Sequence, residues 1–102
     1  MRRRVELTDI PQSVVDKLVA DGKSRSINDI CSGIFAERYG IPYEPTGRKA
    51  FRAYNLPERR LVLKVPEEVW VALKQDAVPY SSIRQVAIDA LTFHYGLDRD
   101  DA

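Results

Sequence analysis

The sequence predicts a small α+β domain, mainly helical, with one two-stranded antiparallel ribbon and four helices. Three observations lead to this prediction. The chain contains one unit twice, each unit opens with alternating apolar and polar residues, and each continues with apolar residues at helical spacing. With 102 residues, the chain has the length of one ordinary domain.

The internal duplication is visible when residues 3–11 are aligned with residues 59–66. Each segment opens with a pair of arginines, alternates in polarity and ends at a proline. The tripeptides at 39–41 and 95–97, Tyr-Gly-Ile and Tyr-Gly-Leu, close the two units at matching positions. The chain therefore divides into a first unit at 1–41, a linker at 42–58, a second unit at 59–97 and an acidic tail at 98–102.

The alternating segment of each unit predicts a β-strand with one apolar face. In the second unit the apolar residues Leu61, Leu63 and Val65 alternate with Arg60, Val62 and Lys64, a period of two. In the first unit Val5 and Leu7 alternate with polar residues, and Asp9 then breaks the pattern. A β-bulge is one explanation for that break, because a bulge adds one residue to a strand.

Two helices are predicted to follow each strand. Pro11 and Pro66 suit the first position of a helix. Ser26 and Ser82, each followed three residues later by a polar side chain, resemble the capping boxes that begin a second helix. A glycine then ends each second helix. The second helices carry apolar residues at positions 27, 30, 31, 34 and 35, and at 83, 86, 87, 90 and 91.

Neither unit is expected to fold alone, because about 40 residues bury too little surface. Pairing the two strands would satisfy their backbone groups and join the two apolar faces. We therefore expect residues 1–97 to form one intertwined domain. An exchanged arrangement, in which the first unit of one chain pairs with the second unit of another, fits the sequence equally well.

Composition and charge exclude several classes of protein. The chain has 16 basic and 15 acidic residues, so its net charge of +1 excludes a polybasic, histone-like mode of binding. The charge is uneven, because residues 1–60 hold 12 basic and 8 acidic side chains whereas the second half is acidic. Cys31 is the single cysteine and His94 the single histidine, which excludes an intrachain disulfide and leaves too few ligands for a structural zinc site.

We expect no enzyme activity and no cofactor, because the sequence has no acid/base pair, phosphate loop or metal cluster. The longest apolar runs are far shorter than a membrane span, and the N-terminal residues lack the apolar region of a secretory signal. A cytoplasmic location without membrane attachment is therefore expected. Cys31 lies on an apolar helical stripe and is expected in the core, and Trp70 is expected to be partly buried.

An alternating strand of about seven residues, followed by two short helices of which the second is capped, resembles the ribbon-helix-helix family of the Arc and MetJ type. The resemblance covers residues 3–41 and 59–97. Two chains of this family normally pair their strands, so the resemblance implies a tandem pseudodimer within one chain. It also implies that the ribbon enters the major groove of DNA and that the starts of the second helices hold phosphates.

Carried over position by position, the resemblance implies a set of DNA-contacting residues. The base-reading face of the ribbon would consist of Arg4, Glu6, Thr8, Arg60, Val62 and Lys64. Phosphates would be held by the starts of the second helices, namely Ser26, Ile27, Asn28, Ser82, Ile83 and Arg84. Apart from the resemblance, Arg2 and Arg3 belong to an N-terminal run of arginines that could hold phosphates as a flexible arm; the alternative is a short solvated end of the chain.

The linker offers further candidate DNA contacts. Its cations Arg48, Lys49 and Arg52 are interleaved with aromatic residues, a pattern typical of nucleic-acid binding. The alternative is that the aromatic rings pack the linker onto the domain while the cations stay solvated.

Two residues depart from the polar or basic ribbon that is usual in the family. Glu6 would repel phosphate, but its carboxylate could accept a hydrogen bond from cytosine N4. Val62 cannot form hydrogen bonds with bases, but it could contact a thymine methyl group. Because the two halves of the ribbon differ, we expect an asymmetric, non-palindromic site or weak specificity.

The resemblance thus implies a protein that binds double-stranded DNA, as a transcriptional regulator of a bacterium or its phage located at the nucleoid. Two chains could also pair side by side on adjacent sites. The alternative is a protein-interaction module of an antitoxin-like or host-factor-binding kind. The low net charge, Glu6 on the ribbon and the acidic second half favour that alternative.

Overall fold

The computed structural model describes residues 2–23, 25–46 and 56–97. It is a small α+β fold, mainly helical, with a two-stranded antiparallel sheet and four helices, as the sequence predicts. The elements in chain order are β1 (Arg2–Leu7), α1 (Gln12–Asp21), α2 (Ile27–Arg38), a short 3-10 turn (Pro57–Arg59), β2 (Leu61–Pro66), α3 (Glu67–Ala77) and α4 (Ile83–His94).

The strands β1 and β2 pair along their whole length. The register runs from Arg2 opposite Pro66 to Leu7 opposite Leu61, and it places Glu6 opposite Val62. The inward side chains of both strands are buried from Val5 onward, while the alternate side chains, Val62 among them, face outward, which confirms the predicted period of two. The residues buried on the inner face are Val5, Leu7, Leu61, Leu63 and Val65.

One extra residue is accommodated where the first strand ends. Continuing the register would place residue 9 opposite Arg59, but the Ile10 N–H donates to the Arg59 carbonyl at 3.1 Å. Asp9 adopts a left-handed backbone with φ 54°, and aspartate tolerates that region better than most residues. The arrangement adds one residue as a bulge does, and it returns the apolar Ile10 to the core.

The helices cover the inner face of the ribbon and form one core with it. Helix α2 packs against β2 and α4 against β1, so each second helix contacts the strand of the other unit. Helices α2 and α4 also pack against each other. The apolar stripes of α2 and α4 are buried as predicted, except that Ile83 is only half-buried. Cys31 is fully buried and Trp70 is half-buried, which confirms both expectations.

The ends of the second helices are set by the predicted residues. The Ser26 hydroxyl accepts from the Asp29 N–H at 3.0 Å, and the Ser82 hydroxyl accepts from the Gln85 N–H at 3.1 Å. At the other end Gly40 and Gly96 have φ of 67° and 68°. In both cases the next residue donates its N–H back to the carbonyl five positions earlier, as in a Schellman motif.

Two tyrosines join the ends of helices from different units. The Tyr39 hydroxyl donates to the Asp76 carboxylate at the end of α3, and the Tyr95 hydroxyl donates to Asp21 at the end of α1, both at 2.7 Å. Partial burial and the neighbouring Asp76 raise the pKa of Tyr39 to about 12. Partial burial and Asp21 also raise the pKa of Tyr95. Each hydroxyl is therefore held in its protonated form.

None of the helices formed by the described residues is long and apolar enough to cross a membrane.

The tyrosine contacts predict a loss of stability in alkaline solution. Because the folded pKa of Tyr39 lies above its ordinary value of 10, the contribution of its hydroxyl is fully present below pH 10. That contribution is lost as the pH rises from 10 towards about 12. The free energy of unfolding, measured with urea across this range, should fall more steeply for the wild type than for Tyr39→Phe. The variant itself should lose about 1 kcal/mol at neutral pH.

Tyr80→Phe is the matched control, because this side chain is 95% exposed and its loss should leave the pH profile unchanged. Parallel pH profiles for the wild type and Tyr39→Phe would contradict the role assigned to Tyr39.

Candidate nucleic-acid interface

The outer face of the ribbon brings together the side chains that the sequence predicts as base-reading. Four of them are exposed, whereas Glu6 and Thr8 are half-buried. Thr8 follows the end of β1 and Arg60 precedes the start of β2, so both extend the ribbon at the same end. The six predicted base-reading residues on this face are Arg4, Glu6, Thr8, Arg60, Val62 and Lys64, and Arg2 shares the face at one end.

The centre of this face is an ion-pair cluster beside an apolar side chain. Glu6 Oε1 lies 3.4 Å from Nη2 of Arg4, and Glu6 Oε2 contacts Nη2 of Arg60. Val62 is directly opposite Glu6 on the partner strand and is 43% exposed. The one carboxylate of the face thus contacts two arginines, while a valine occupies the matching place on the other strand.

Positive charge is concentrated at one end of the ribbon. Arg4 lies directly opposite Lys64, and like charges at opposed positions destabilise a sheet unless an anion covers them. Arg2 lies two pairs further along, and its guanidinium donates to the Lys64 carbonyl at 2.9 Å. On its outer face this end therefore carries the three cations Arg2, Arg4 and Lys64, whereas Arg60 lies at the other end. A surface of this kind attracts a polyanion.

The starts of the second helices are bound to the edges of the ribbon. The Asn28 side chain makes two hydrogen bonds to the backbone of Lys64: it donates to the carbonyl at 2.9 Å and accepts from the N–H at 2.7 Å. In the other unit Arg84 Nε donates to the Thr8 carbonyl at 2.8 Å and lies 3.2 Å from the Thr8 hydroxyl. Asn28 and Arg84 thus fix the position of each helix start relative to the ribbon.

The other predicted phosphate contacts at the helix starts are of two kinds. Ser26 and Ser82 use their hydroxyls to cap their own helices. The side chain of Ile27 is buried and that of Ile83 is half-buried, so a phosphate would meet the backbone rather than these side chains.

Arg3 lies on the opposite side of the ribbon from Arg4. Its guanidinium is 4.9 Å from the centre of the Trp70 ring, and its Nη2 lies 3.4 Å from Glu67 Oε2. Lys74 also approaches the Trp70 ring, with Nζ 4.9 Å from the ring centre. Arg3 therefore contacts α3, and the alternation that places Val5 in the core accounts for this direction.

Tyr43 in the first part of the linker packs against the core, as the alternative given for the linker aromatics predicts, but its hydrogen-bond partner is not predicted from the sequence. The Asp29 carboxylate, buried at the start of α2, accepts from the Tyr43 hydroxyl at 2.7 Å and from the Thr46 hydroxyl at 2.8 Å. It also accepts from the Thr46 N–H. The sequence marks Asp29 only as the acidic residue of the predicted capping box, and it does not indicate that the linker would bind there. The linker cations Arg48, Lys49 and Arg52 lie outside the described residues.

The remaining reactive side chains form no cluster in the described part of the chain. Within residues 2–23, 25–46 and 56–97, no group of three or more His, Cys, Asp or Glu residues could hold a metal ion. Burial raises the pKa of the Cys31 thiol, which keeps it protonated. His94 makes an edge-to-face contact with Tyr95, with ring centres 5.0 Å apart.

Comparison of the chain with protein-family models, curated proteins and solved structures gives no match. The function is therefore inferred from the geometry and charge of the ribbon.

The hydrogen bonds of Asn28 predict that this side chain stabilises the ribbon. Asn28→Ala removes two hydrogen bonds to the Lys64 backbone and should lower the free energy of unfolding by about 1–3 kcal/mol. Denaturation with urea measures this change. Gln12→Ala is a suitable control, because it removes an exposed side-chain contact on α1 and should change stability by less than about 1 kcal/mol. Equal effects of the two substitutions would contradict the role of Asn28.

Proposed function

We propose that this chain is a DNA-binding protein of the transcription-regulator type, built as a tandem ribbon-helix-helix pseudodimer. The β1–β2 ribbon would enter the major groove of duplex DNA, which has the width to admit a two-stranded ribbon. The observation that carries the proposal is the outer face of the ribbon. On that face Arg2, Arg4, Arg60 and Lys64 are exposed around one carboxylate and one valine.

Matched contacts between helices and strands support the pseudodimer. Asn28 of the first unit binds the backbone of Lys64 in the second, and Arg84 of the second binds Thr8 of the first. Residues 28 and 84 are separated by the same number of positions as the tripeptides at 39–41 and 95–97, and so are residues 8 and 64. Each of these pairs therefore occupies equivalent places in the two units. A two-fold relation between the units would produce such a pair of contacts.

The tyrosine contacts also form a matched pair between the two units. Tyr39 of the first unit binds Asp76 of the second, while Tyr95 of the second binds Asp21 of the first. The strand register adds a further match, because Glu6 and Val62 occupy corresponding positions and lie directly opposite each other. The pseudo-two-fold axis would then pass through this central pair.

On DNA the two parts of the interface would have different tasks. Exposed ribbon side chains would contact base edges, while the backbone at the starts of α2 and α4 would hold the flanking phosphates. The hydrogen bonds of Asn28 and Arg84 support this division, because they fix both helix starts relative to the ribbon. Because one chain supplies both units, assembly of the ribbon would not depend on protein concentration.

A second candidate function is protein binding at the end of α2 and α4. Phe93 is 79% exposed beside a groove of about 610 Å³, which Ile34 and Ala90 also line. An exposed aromatic ring next to a concave surface is typical of a protein-contact site. This groove is formed by the C-terminal parts of the second helices, whereas the helix starts contact the ribbon, so the two functions are separable.

Titration against random-sequence duplex DNA tests the DNA-binding proposal. Binding should weaken sharply between about 50 and 200 mM salt, because phosphate contacts release counterions. Arg60→Ala/Lys64→Ala should weaken binding at low salt by about one to two orders of magnitude. Lys17→Ala/Arg38→Ala removes the same charge from exposed positions on α1 and the far end of α2, and it should bind almost as the wild type does.

Absence of binding at low salt would overturn the proposal. Equal losses in both double variants would show that net charge alone matters and would contradict a role for the ribbon.

A further inference from the structure

Glu6 makes its two ion pairs with equivalent residues of the two units. Arg4 and Arg60 correspond in the duplication, since each is the second arginine of the pair that opens its unit. One carboxylate oxygen of Glu6 contacts each guanidinium. The two arginines therefore converge on the centre of the ribbon from opposite directions.

A structural role explains this cluster poorly. The side chains of Arg4 and Arg60 are 61% and 51% exposed, and ion pairs at such exposure contribute little to stability. A carboxylate also lowers the affinity of the face for phosphate. The arrangement does have one clear effect, which is to restrict the directions of two long side chains that would otherwise sample many rotamers.

We infer, on the basis of the proposed function, that Glu6 is a positioning residue that directs Arg4 and Arg60 towards two guanines on either side of the ribbon centre. Val62 contacts the methyl group of a thymine between them. The preferred ligand is therefore a duplex with guanines flanking a thymine-containing central step.

The hydrogen-bonding capacity of the three side chains agrees with this assignment. A guanidinium has five N–H donors in a planar fork, so each arginine can contact Glu6 and still bind guanine O6 and N7 with two donors. Both oxygens of Glu6 already contact arginines, which favours positioning over direct reading of cytosine N4. Val62 is exposed and apolar at the centre, and the thymine methyl is the apolar group of the major groove.

The experiment begins with the duplex that the wild-type protein selects from a random-sequence library. Three versions of it are compared with a scrambled duplex: the selected sequence, the same sequence with 7-deazaguanine for guanine, and the same with uracil for thymine. The first analogue lacks the N7 acceptor, and the second lacks the methyl group. The protein variants are Glu6→Gln and Val62→Ala.

Glu6→Gln should change specificity and affinity in opposite directions. Its preference for the selected over the scrambled duplex should fall about tenfold or more, because the arginines lose their fixed direction. Its affinity for the scrambled duplex should stay equal or rise severalfold, because a negative charge is removed. The midpoint of thermal unfolding should stay within about 5 °C of the wild type. Glu67→Gln, which removes the carboxylate near Arg3 on the other side of the ribbon, should leave the preference unchanged.

Val62→Ala should lose the discrimination between thymine and uracil while it keeps the dependence on guanine N7. The inference would be overturned if Glu6→Gln lost affinity equally for the selected and the scrambled duplex, or if its preference for the selected duplex were unchanged. Either result would leave the proposed function standing. The inference would also be overturned if the wild-type protein selected duplexes without guanine or thymine at the centre. Failure of the wild type to bind any duplex would instead overturn the proposed function itself.

Discussion

The pairing of β1 with β2 holds the core of this protein together. A single strand would leave its backbone N–H and C=O groups without partners and its apolar face uncovered. Pairing satisfies the backbone groups and places five apolar side chains on one surface, against which α2 and α4 then pack. Because each second helix contacts the strand of the other unit, the ribbon also joins the two units into one core.

The register of that pairing determines the chemistry of the outer face. It places Glu6 opposite Val62 and Arg4 opposite Lys64, so the centre and one end of the ribbon differ in character. A shift by one residue would bury the charged side chains and expose the apolar ones. The same pairing that forms the core therefore also presents the cations as a group, and this link between stability and charge distribution underlies the proposed DNA binding.

Periodicity in the sequence was sufficient to predict the strands, the four helices and the outward set of ribbon residues. An alternating pattern reports directly which side chains share a face, and the glycines at 40 and 96 mark helix ends through their backbone freedom. Contacts between distant residues were not predictable in this way. The ion pairs of Glu6 depend on the strand register, and the Asp29 contacts with the linker depend on how the chain returns past α2. Neither contact produces a periodic pattern in the sequence, because each joins residues that are brought together only by the tertiary fold.

An NMR titration of labelled protein with a short duplex at low salt would locate the DNA contact residue by residue. Amide shifts should concentrate at residues 4–8 and 60–64 and at the starts of α2 and α4, and they should saturate at one chain per duplex site. Shifts confined to the groove around Phe93, or saturation only with two chains per site, would contradict the claim that one chain presents a complete DNA-reading ribbon.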